Sequence, residues 1–154
     1  MATFTSKYSV LVDPKGRVVL PSAFKRELKE GFSGVFVVEK DAYESCLNVY
    51  PLEVWEERVR DILQRLNPDD PRHSKFLSMY FEEIVKLTMA ANGRLNIPNN
   101  MLDFAGIKKE AIFAGQGRRI RLWEPGRHKD YRLEREEYSS LFCEFLGGDA
   151  EGVL

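Results

Sequence analysis

The sequence has few of the residues that build disulfide frameworks, zinc sites or membrane spans. Among 154 residues it has two cysteines, Cys46 and Cys143, which lie far apart with no Cys-x-x-Cys pair and no neighbouring histidine. We therefore expect no metal and no other cofactor. No stretch approaches the roughly 20 apolar residues of a membrane span, and the first residues lack the features of a signal peptide. We expect a cytoplasmic protein that does not bind a membrane.

Catalytic patterns are also missing. The two histidines, His73 and His128, have no cysteine or paired acids at ligand spacing. Gly16 and Gly93 are solitary, so neither turn matches a phosphate-binding Walker loop. The segment Gly115-Gln116-Gly117 is half of a nucleotide fingerprint, but its place between two apolar stretches predicts a hairpin turn. The sequence thus predicts a protein that is not an enzyme.

The net charge is small, −1, but the charges are segregated along the chain. Residues 1–29 carry six Lys or Arg against two acids, and residues 108–135 carry nine against four. Residues 41–84 carry ten acids against five bases, and residues 136–154 carry five acids and no base. Local charge of one sign indicates an electrostatic footprint better than the total does. Two basic segments therefore remain candidates for an anionic partner.

The strongest feature is an internal repeat. Residues 12–21 read VDPKGRVVLP and residues 89–98 read MAANGRLNIP. In both copies a turn with Gly and Arg leads into a short apolar alternation, and Pro follows the Gly by five positions. An amphipathic segment and two further apolar strands come after each Pro. The chain is therefore predicted to contain two β-turn-β-α-β-β units.

Helical patterns connect and follow the two units. Apolar spacings of three and four predict a helix over 51–66, and Asn67-Pro68-Asp69-Asp70-Pro71 breaks it before a second helix that ends near residue 84. We expect both repeats to form one structural domain. The predicted boundaries are a first repeat at 5–50, a helical connection at 51–84, a second repeat at 85–125, a C-terminal helix at 126–146 and a flexible tail at 147–154.

These residues resemble the MraZ family of bacterial transcriptional regulators, from about Thr5 to Leu146. The family's hallmark is a twice-repeated Asp-x-x-x-Arg motif. The resemblance implies an α+β fold, a tandem pseudo-repeat β-barrel of the AbrB/MraZ (double-split or swapped-hairpin) type, with helices packed around it. It also implies a sequence-specific regulator that represses the division and cell-wall gene cluster. Such a regulator is nucleoid-associated and binds double-stranded DNA as an octameric or dodecameric ring on short direct promoter repeats.

The two copies of the motif are not identical. Asp13 and Arg17 match it fully, whereas the second copy has Ala90 four positions before Arg94. An Asp at the start of a turn accepts hydrogen bonds from backbone amides two or more residues on. The second turn must be held otherwise, and Asn92 is a candidate because Asn also suits turn geometry.

The candidate site residues follow from the motif. A planar guanidinium contacts phosphate or a guanine edge in a bidentate manner, and the period-two alternation presents Arg17 on a rigid strand. The predicted DNA contacts are Lys15, Arg17, Arg94, Asn92 and Lys7. The residues predicted to structure the turns are Asp13, Gly16 and Gly93. A second interpretation of Arg17 is a salt bridge, to Asp13 or to an acid of a neighbouring subunit.

The resemblance leaves one rival function open. The chain could be a ring-forming protein–protein interaction module without specific DNA binding, with acidic helices that bind a partner and arginines that close subunit contacts. The two functions differ in what they predict for Arg17→Ala. A DNA contact predicts lost binding with the ring intact, and an interface residue predicts a ring that falls apart.

Overall fold

The computed structural model describes residues 2–28 and 30–147. Each repeat folds as β-β-α-β-β. The first repeat contains β1 (Lys7–Leu11), β2 (Arg17–Val19), α1 (Ser22–Glu27), β3 (Val35–Lys40) and β4 (Leu47–Pro51). The connection contains α2 (Leu52–Arg65) and α3 (Pro71–Glu82). The second repeat contains β5 (Val85–Thr88), β6 (Arg94–Asn96), α4 (Asn99–Ala105), β7 (Glu110–Gln116) and β8 (Arg119–Trp123), and α5 (Pro125–Tyr131) and α6 (Arg135–Leu146) follow it.

The strands of the two repeats are interleaved. Six of them form an antiparallel sheet in the order β1-β7-β8-β4-β3-β5. The first strand of each repeat therefore pairs with a strand of the other repeat, β1 with β7 and β5 with β3. The remaining two strands, β2 and β6, pair with each other as a separate ribbon. Neither repeat completes a sheet by itself.

The predicted α+β class is confirmed, but the sheet is not closed into a barrel. Its edge strands are β1 and β5, which have no strand neighbour on their outer side among the described residues. The reason is local: after the turns at Gly16 and Gly93 the chain leaves the sheet, and β2 and β6 satisfy each other's backbone groups instead of joining the edges. The ribbon then packs its apolar face on the same core as the sheet.

The core lies between the sheet on one side and the ribbon, α1 and α4 on the other. Phe24 of α1 is its centre and is 1% exposed. Its ring meets those of Phe4, Tyr8 and Phe113 edge-on, with centroid distances of 5.6, 5.2 and 6.4 Å. Edge-to-face packing adds to the free energy of burial. The core thus fixes the ribbon relative to β1 and β7.

The connecting helices cover the opposite face of the sheet. Trp55 of α2 packs against Val37 and Tyr50, as a core position should. The predicted break between the helices is present, and Asp70 begins α3 because its carboxylate accepts hydrogen bonds from the backbone amides of Arg72 and His73. None of the described helices is long and apolar enough to cross a membrane.

The C-terminal region differs from the prediction. A single helix over 126–146 is expected, and the structure has α5 and α6, separated by residues 132–134. The break is tertiary in origin, because Tyr131 packs on Trp123 with a centroid distance of 4.7 Å and its hydroxyl accepts a hydrogen bond from Arg121. No glycine or proline marks it in the sequence. The part of the predicted flexible tail beyond Gly147 lies outside the residues that the structure describes.

Candidate nucleic-acid interface

The β2–β6 ribbon has a pseudo-twofold arrangement. Val18 of one strand faces Leu95 of the other, and both side chains are buried, as the alternation predicts. The ribbon is closed at each end by equivalent backbone hydrogen bonds of 2.9 Å, from the Leu20 amide to the Gly93 carbonyl and from the Ile97 amide to the Gly16 carbonyl. The outward face consequently presents Arg17 and Val19 of β2, and Arg94 and Asn96 of β6.

The first turn holds Arg17 through Asp13. One carboxylate oxygen accepts from the backbone amides of Lys15 and Arg17, each at 2.9 Å, and the other accepts from the Arg17 Nε at 2.6 Å. The Arg17 backbone amide, its side chain and the Lys15 amide hold the pKa of Asp13 below its ordinary value, against the opposing effect of desolvation. The predicted salt bridge of Arg17 is therefore present, within the chain.

That salt bridge orients the Arg17 guanidinium and engages its Nε, not its two terminal amino groups. The Arg17 side chain is 37% exposed. Its two terminal amino groups have no hydrogen-bond partner within residues 2–28 and 30–147. These groups form the end of the fork that contacts phosphate or guanine. The salt-bridge and DNA-contact interpretations of Arg17 are thus compatible.

The second turn keeps the backbone geometry but loses the ion pair. The Gly93 amide donates to the Ala90 carbonyl at 2.9 Å, as the Gly16 amide does to the Asp13 carbonyl. Asn92 accepts from the Arg94 backbone amide at 3.1 Å, so its expected part in holding the turn is confirmed. Across the described part of the chain, the Arg94 guanidinium has no hydrogen-bond or ion-pair partner.

Both turns depend on glycine, but to different degrees. Gly16 and Gly93 both have φ of +81°, a conformation that costs other residues free energy. A Cβ built on Gly16 would lie 2.5 Å from the Ile97 carbonyl oxygen, which is fixed backbone. A Cβ built on Gly93 would lie 2.7 Å from the Nζ of Lys25, the end of a flexible side chain that can move away.

Gly16→Ala should destabilise the fold more than Gly93→Ala does. We expect Gly93→Ala to cost about 1–2 kcal/mol, the cost of the left-handed conformation. Gly16→Ala adds overpacking against the ribbon backbone, for a total of about 2–5 kcal/mol. Urea unfolding of both variants measures the difference. Equal costs for the two variants would show that the close approach at Gly16 is not important.

Arg17 and Arg94 line one open groove of about 670 Å³. Lys108 and Lys109, which precede β7, also line it and are not among the contact residues predicted from the sequence. They come beside the first turn because the Val12 amide donates to the Lys109 carbonyl at 2.9 Å. Their only sequence signal is the start of the second basic segment. Four cations therefore converge on the outward side of the ribbon.

The groove also has apolar side chains that water covers in the free protein. Leu11 at the end of β1 is 76% exposed, and Val19 on the ribbon is 50% exposed. Asp13 and Pro14 complete the lining with Val12. Cations mixed with small apolar contacts suit a DNA groove, where phosphates and thymine methyl groups lie close together.

Lys15 and Lys7, which are also predicted to contact DNA, lie at opposite ends of the region around β1 and the first turn. Lys15 is exposed at the tip of the first turn, beside the groove. Lys7 begins β1, about 14 Å from Leu11 at roughly 3.4 Å per residue, and so lies at the far end of that strand from the turns. Burial lowers the pKa of His128, and the charge of Lys7 lowers it further. The structure thus places Lys7 near α5 and not with the other candidates.

Comparison with known proteins adds to this geometry. The family model described as "MraZ protein, putative antitoxin-like" matches residues 3–77 and 80–141. The chain belongs to the MraZ family. Proteins called "Transcriptional regulator MraZ" are similar to it in Bacteroides fragilis, with 30% identity over 95% of this chain and 92% of theirs, and in Phocaeicola vulgatus, with 31% identity over 94% of both. The MraZ protein of Roseiflexus sp. is 31% identical over 93% of this chain and 96% of its own.

Both copies of the internal repeat place their arginine just after a ribbon turn. The first has its Asp and Arg in direct contact, and the second has Ala90 in place of Asp. No group of three or more His, Cys, Asp or Glu side chains that could hold a metal ion occurs in the described residues. The chemistry available at the MraZ turns is therefore that of positive charge, oriented guanidinium and apolar contact.

Proposed function

We propose that this chain is a transcriptional regulator that binds double-stranded DNA in a sequence-specific manner through the outward face of the β2–β6 ribbon. The observation that carries the proposal is the groove in which Arg17, Arg94, Lys108 and Lys109 surround two exposed apolar side chains. A two-stranded antiparallel ribbon fits the width of the DNA major groove. The three relatives are named as transcriptional regulators, which supports the same function.

The proposed targets are short direct repeats in the promoter of the division and cell-wall gene cluster, which the protein represses. This target is what membership of the family implies. A ribbon with one pair of arginines contacts only a few base pairs, whereas specific DNA interfaces usually bury about 1,000 Å² or more. Several ribbons on successive repeats would supply the missing contacts through their effective concentration.

A ring of eight or twelve subunits would arrange the ribbons in this way. The helices support such an assembly. In the single chain α6 buries no residue, and its Phe145 is 69% exposed. On α3, Phe76 and Met79 are 52% and 66% exposed. Apolar side chains exposed on two helices commonly mark interfaces. The rival function, an interaction module, would use the same faces, so the DNA has to be tested directly.

The test is duplex binding by the wild-type protein. Fluorescence anisotropy compares a duplex from upstream of the protein's own gene with a shuffled duplex of the same composition, across a salt series. We expect tighter binding of the upstream duplex and an affinity that falls steeply with salt, with a slope of about −0.9 for each phosphate contact. Equal binding of both duplexes would contradict the proposal and favour the interaction module.

Lys108 and Lys109 should contribute phosphate contacts that carry no sequence information. The double variant Lys108→Ala/Lys109→Ala is expected to bind the upstream and shuffled duplexes more weakly by the same factor, and to reduce the salt slope by about 2. The matched control is Arg60→Ala, because Arg60 is exposed on α2, away from the groove. A changed preference between the duplexes, or an unchanged slope, would show that these lysines do not contact phosphate.

A further inference from the structure

The two ribbon turns have equivalent backbone hydrogen bonds but differ in their charged side chains. At the first turn a carboxylate lies against the arginine, with Asp13 Oδ2 and Arg17 Nε separated by 2.6 Å. At the second turn the equivalent position is Ala90, so Arg94 has no acid beside it in its own turn. An ion pair restricts a guanidinium to one orientation and compensates its charge locally, whereas an unpaired guanidinium keeps its freedom and an uncompensated charge.

The two turns also differ in the side chain that lies over their glycine. Lys25 of α1 projects over the second turn, where its Nζ would lie 2.7 Å from a Cβ on Gly93. The equivalent residue of the other repeat is Leu102 of α4, whose Cδ1 would lie 3.2 Å from a Cβ on Gly16. The second turn thus has neither the carboxylate of Asp13 nor the ammonium group of Lys15, since Ala90 and Asn92 stand at those positions, but it has Lys25 over its glycine.

Lys25 has no partner that accounts for its position. The residues that the structure describes supply neither a hydrogen bond nor an ion pair to its ammonium group. Lys25 Nζ lies over Gly93, the next residue in the chain is Arg94, and residues 89–94 of the turn carry no carboxylate. A phosphate oxygen at this turn would be attracted by two cations that no acid of the turn compensates.

We propose that the two turns bind different parts of the duplex. Arg17, held by Asp13, reads a base edge, and Lys25 and Arg94 bind phosphodiester oxygens of the DNA backbone. Base reading requires a guanidinium in a fixed orientation, whereas a phosphate contact requires charge and tolerates freedom. A carboxylate at the second turn would repel the phosphate. This inference rests on the proposed function and names Lys25 as a further contact residue.

The experiment uses the full chain and two duplexes, one from upstream of its gene and one shuffled. Lys25→Gln and Arg94→Gln each remove one charge from the second turn, and Lys25→Arg keeps it. Ala90→Asp gives the second turn the carboxylate of the first. Arg60→Gln on α2 is the matched control, because Arg60 is exposed on the face of the sheet opposite the ribbon, and circular dichroism with thermal melting verifies that every variant is folded.

We expect Lys25→Gln and Arg94→Gln to weaken binding of both duplexes several-fold by the same factor, each with a salt slope reduced by about 1. Ala90→Asp should also weaken both equally, and Lys25→Arg should bind as the wild type does. Arg17→Gln, in contrast, should lose the preference for the upstream duplex. The proposal is overturned if Lys25→Gln and Ala90→Asp bind with wild-type affinity and slope, or if they change the preference. Failure of the proposed function would appear earlier, as a wild-type protein with no preference.

Discussion

Arg17→Ala is expected to abolish the preference for the upstream duplex while the mass of the assembly stays the same. A bidentate contact of arginine with a base is worth about 1–3 kcal/mol of discrimination. Because several ribbons bind together, the loss multiplies, and we expect the affinity for the upstream duplex to fall at least about 100-fold. Anisotropy measures the affinity, and light scattering on the same samples measures the mass.

Two control variants separate the roles of Arg17. Arg17→Lys keeps the charge but loses the planar fork, so it should lose the preference and retain much of the salt-dependent binding. Arg65→Ala removes an exposed arginine on α2 whose ion-pair partner, among the residues that the structure describes, is Asp61, and it should bind as the wild type does. An assembly that dissociates in Arg17→Ala would instead place Arg17 at a subunit interface.

The largest expected effect on stability is that of Asp41→Ala. Asp41 follows β3, and its Oδ1 accepts from Arg121 Nη2 at 2.7 Å and from the Asn48 amide at 3.0 Å. The side chains of Arg121 and Asp41 are 8% and 6% exposed. Removing Asp41 leaves a buried guanidinium without its counter-charge, and such changes cost about 3–5 kcal/mol. Urea unfolding at neutral pH measures the loss. A cost below about 1 kcal/mol would contradict the account.

The same carboxylate should make stability depend on pH. Burial alone would raise the pKa of Asp41, but hydrogen bonds from Asn48 and from the Glu44 and Tyr43 amides, with the charge of Arg121, lower it below 3.8. Because the pKa of Asp41 is lower in the folded chain than in the unfolded chain, ionised Asp41 stabilises the fold at any pH above its unfolded pKa. This contribution is lost as the pH falls through the folded pKa. Wild type should therefore lose stability below about pH 4 more steeply than Asp41→Asn. Asp61→Asn, on the surface of α2, is the control.

Much of the candidate site could be predicted because it is encoded locally. The conformations of Gly16 and Gly93 and the outward direction of Arg17 depend on a few neighbouring residues, and the repeat presents the same signal twice. The hydrogen bond from the Arg94 backbone amide to the Asn92 side chain also spans two residues. Short-range patterns of this kind are readable without knowledge of the tertiary structure.

The remaining features depend on contacts between distant segments. The pairing of β1 with β7 crosses the repeats, and it alone brings Lys109 beside Val12. Asp41 and Arg121 are 80 residues apart in the sequence, and the position of Lys25 over Gly93 depends on how α1 packs. The periodicity and spacing of the sequence do not contain this information. Lys108 and Lys109 in the groove, and the buried Asp41–Arg121 ion pair, therefore cannot be predicted from the sequence.

Hydrogen–deuterium exchange of the wild-type protein, with and without the upstream duplex, would show which surface binds the DNA. We expect slower exchange of backbone amides in residues 11–20, 89–97 and 108–109, which form the ribbon turns and the groove. The shuffled duplex at the same concentration should protect these amides less. Protection confined to α2, α3 or α6, with no change on the ribbon, would contradict the account.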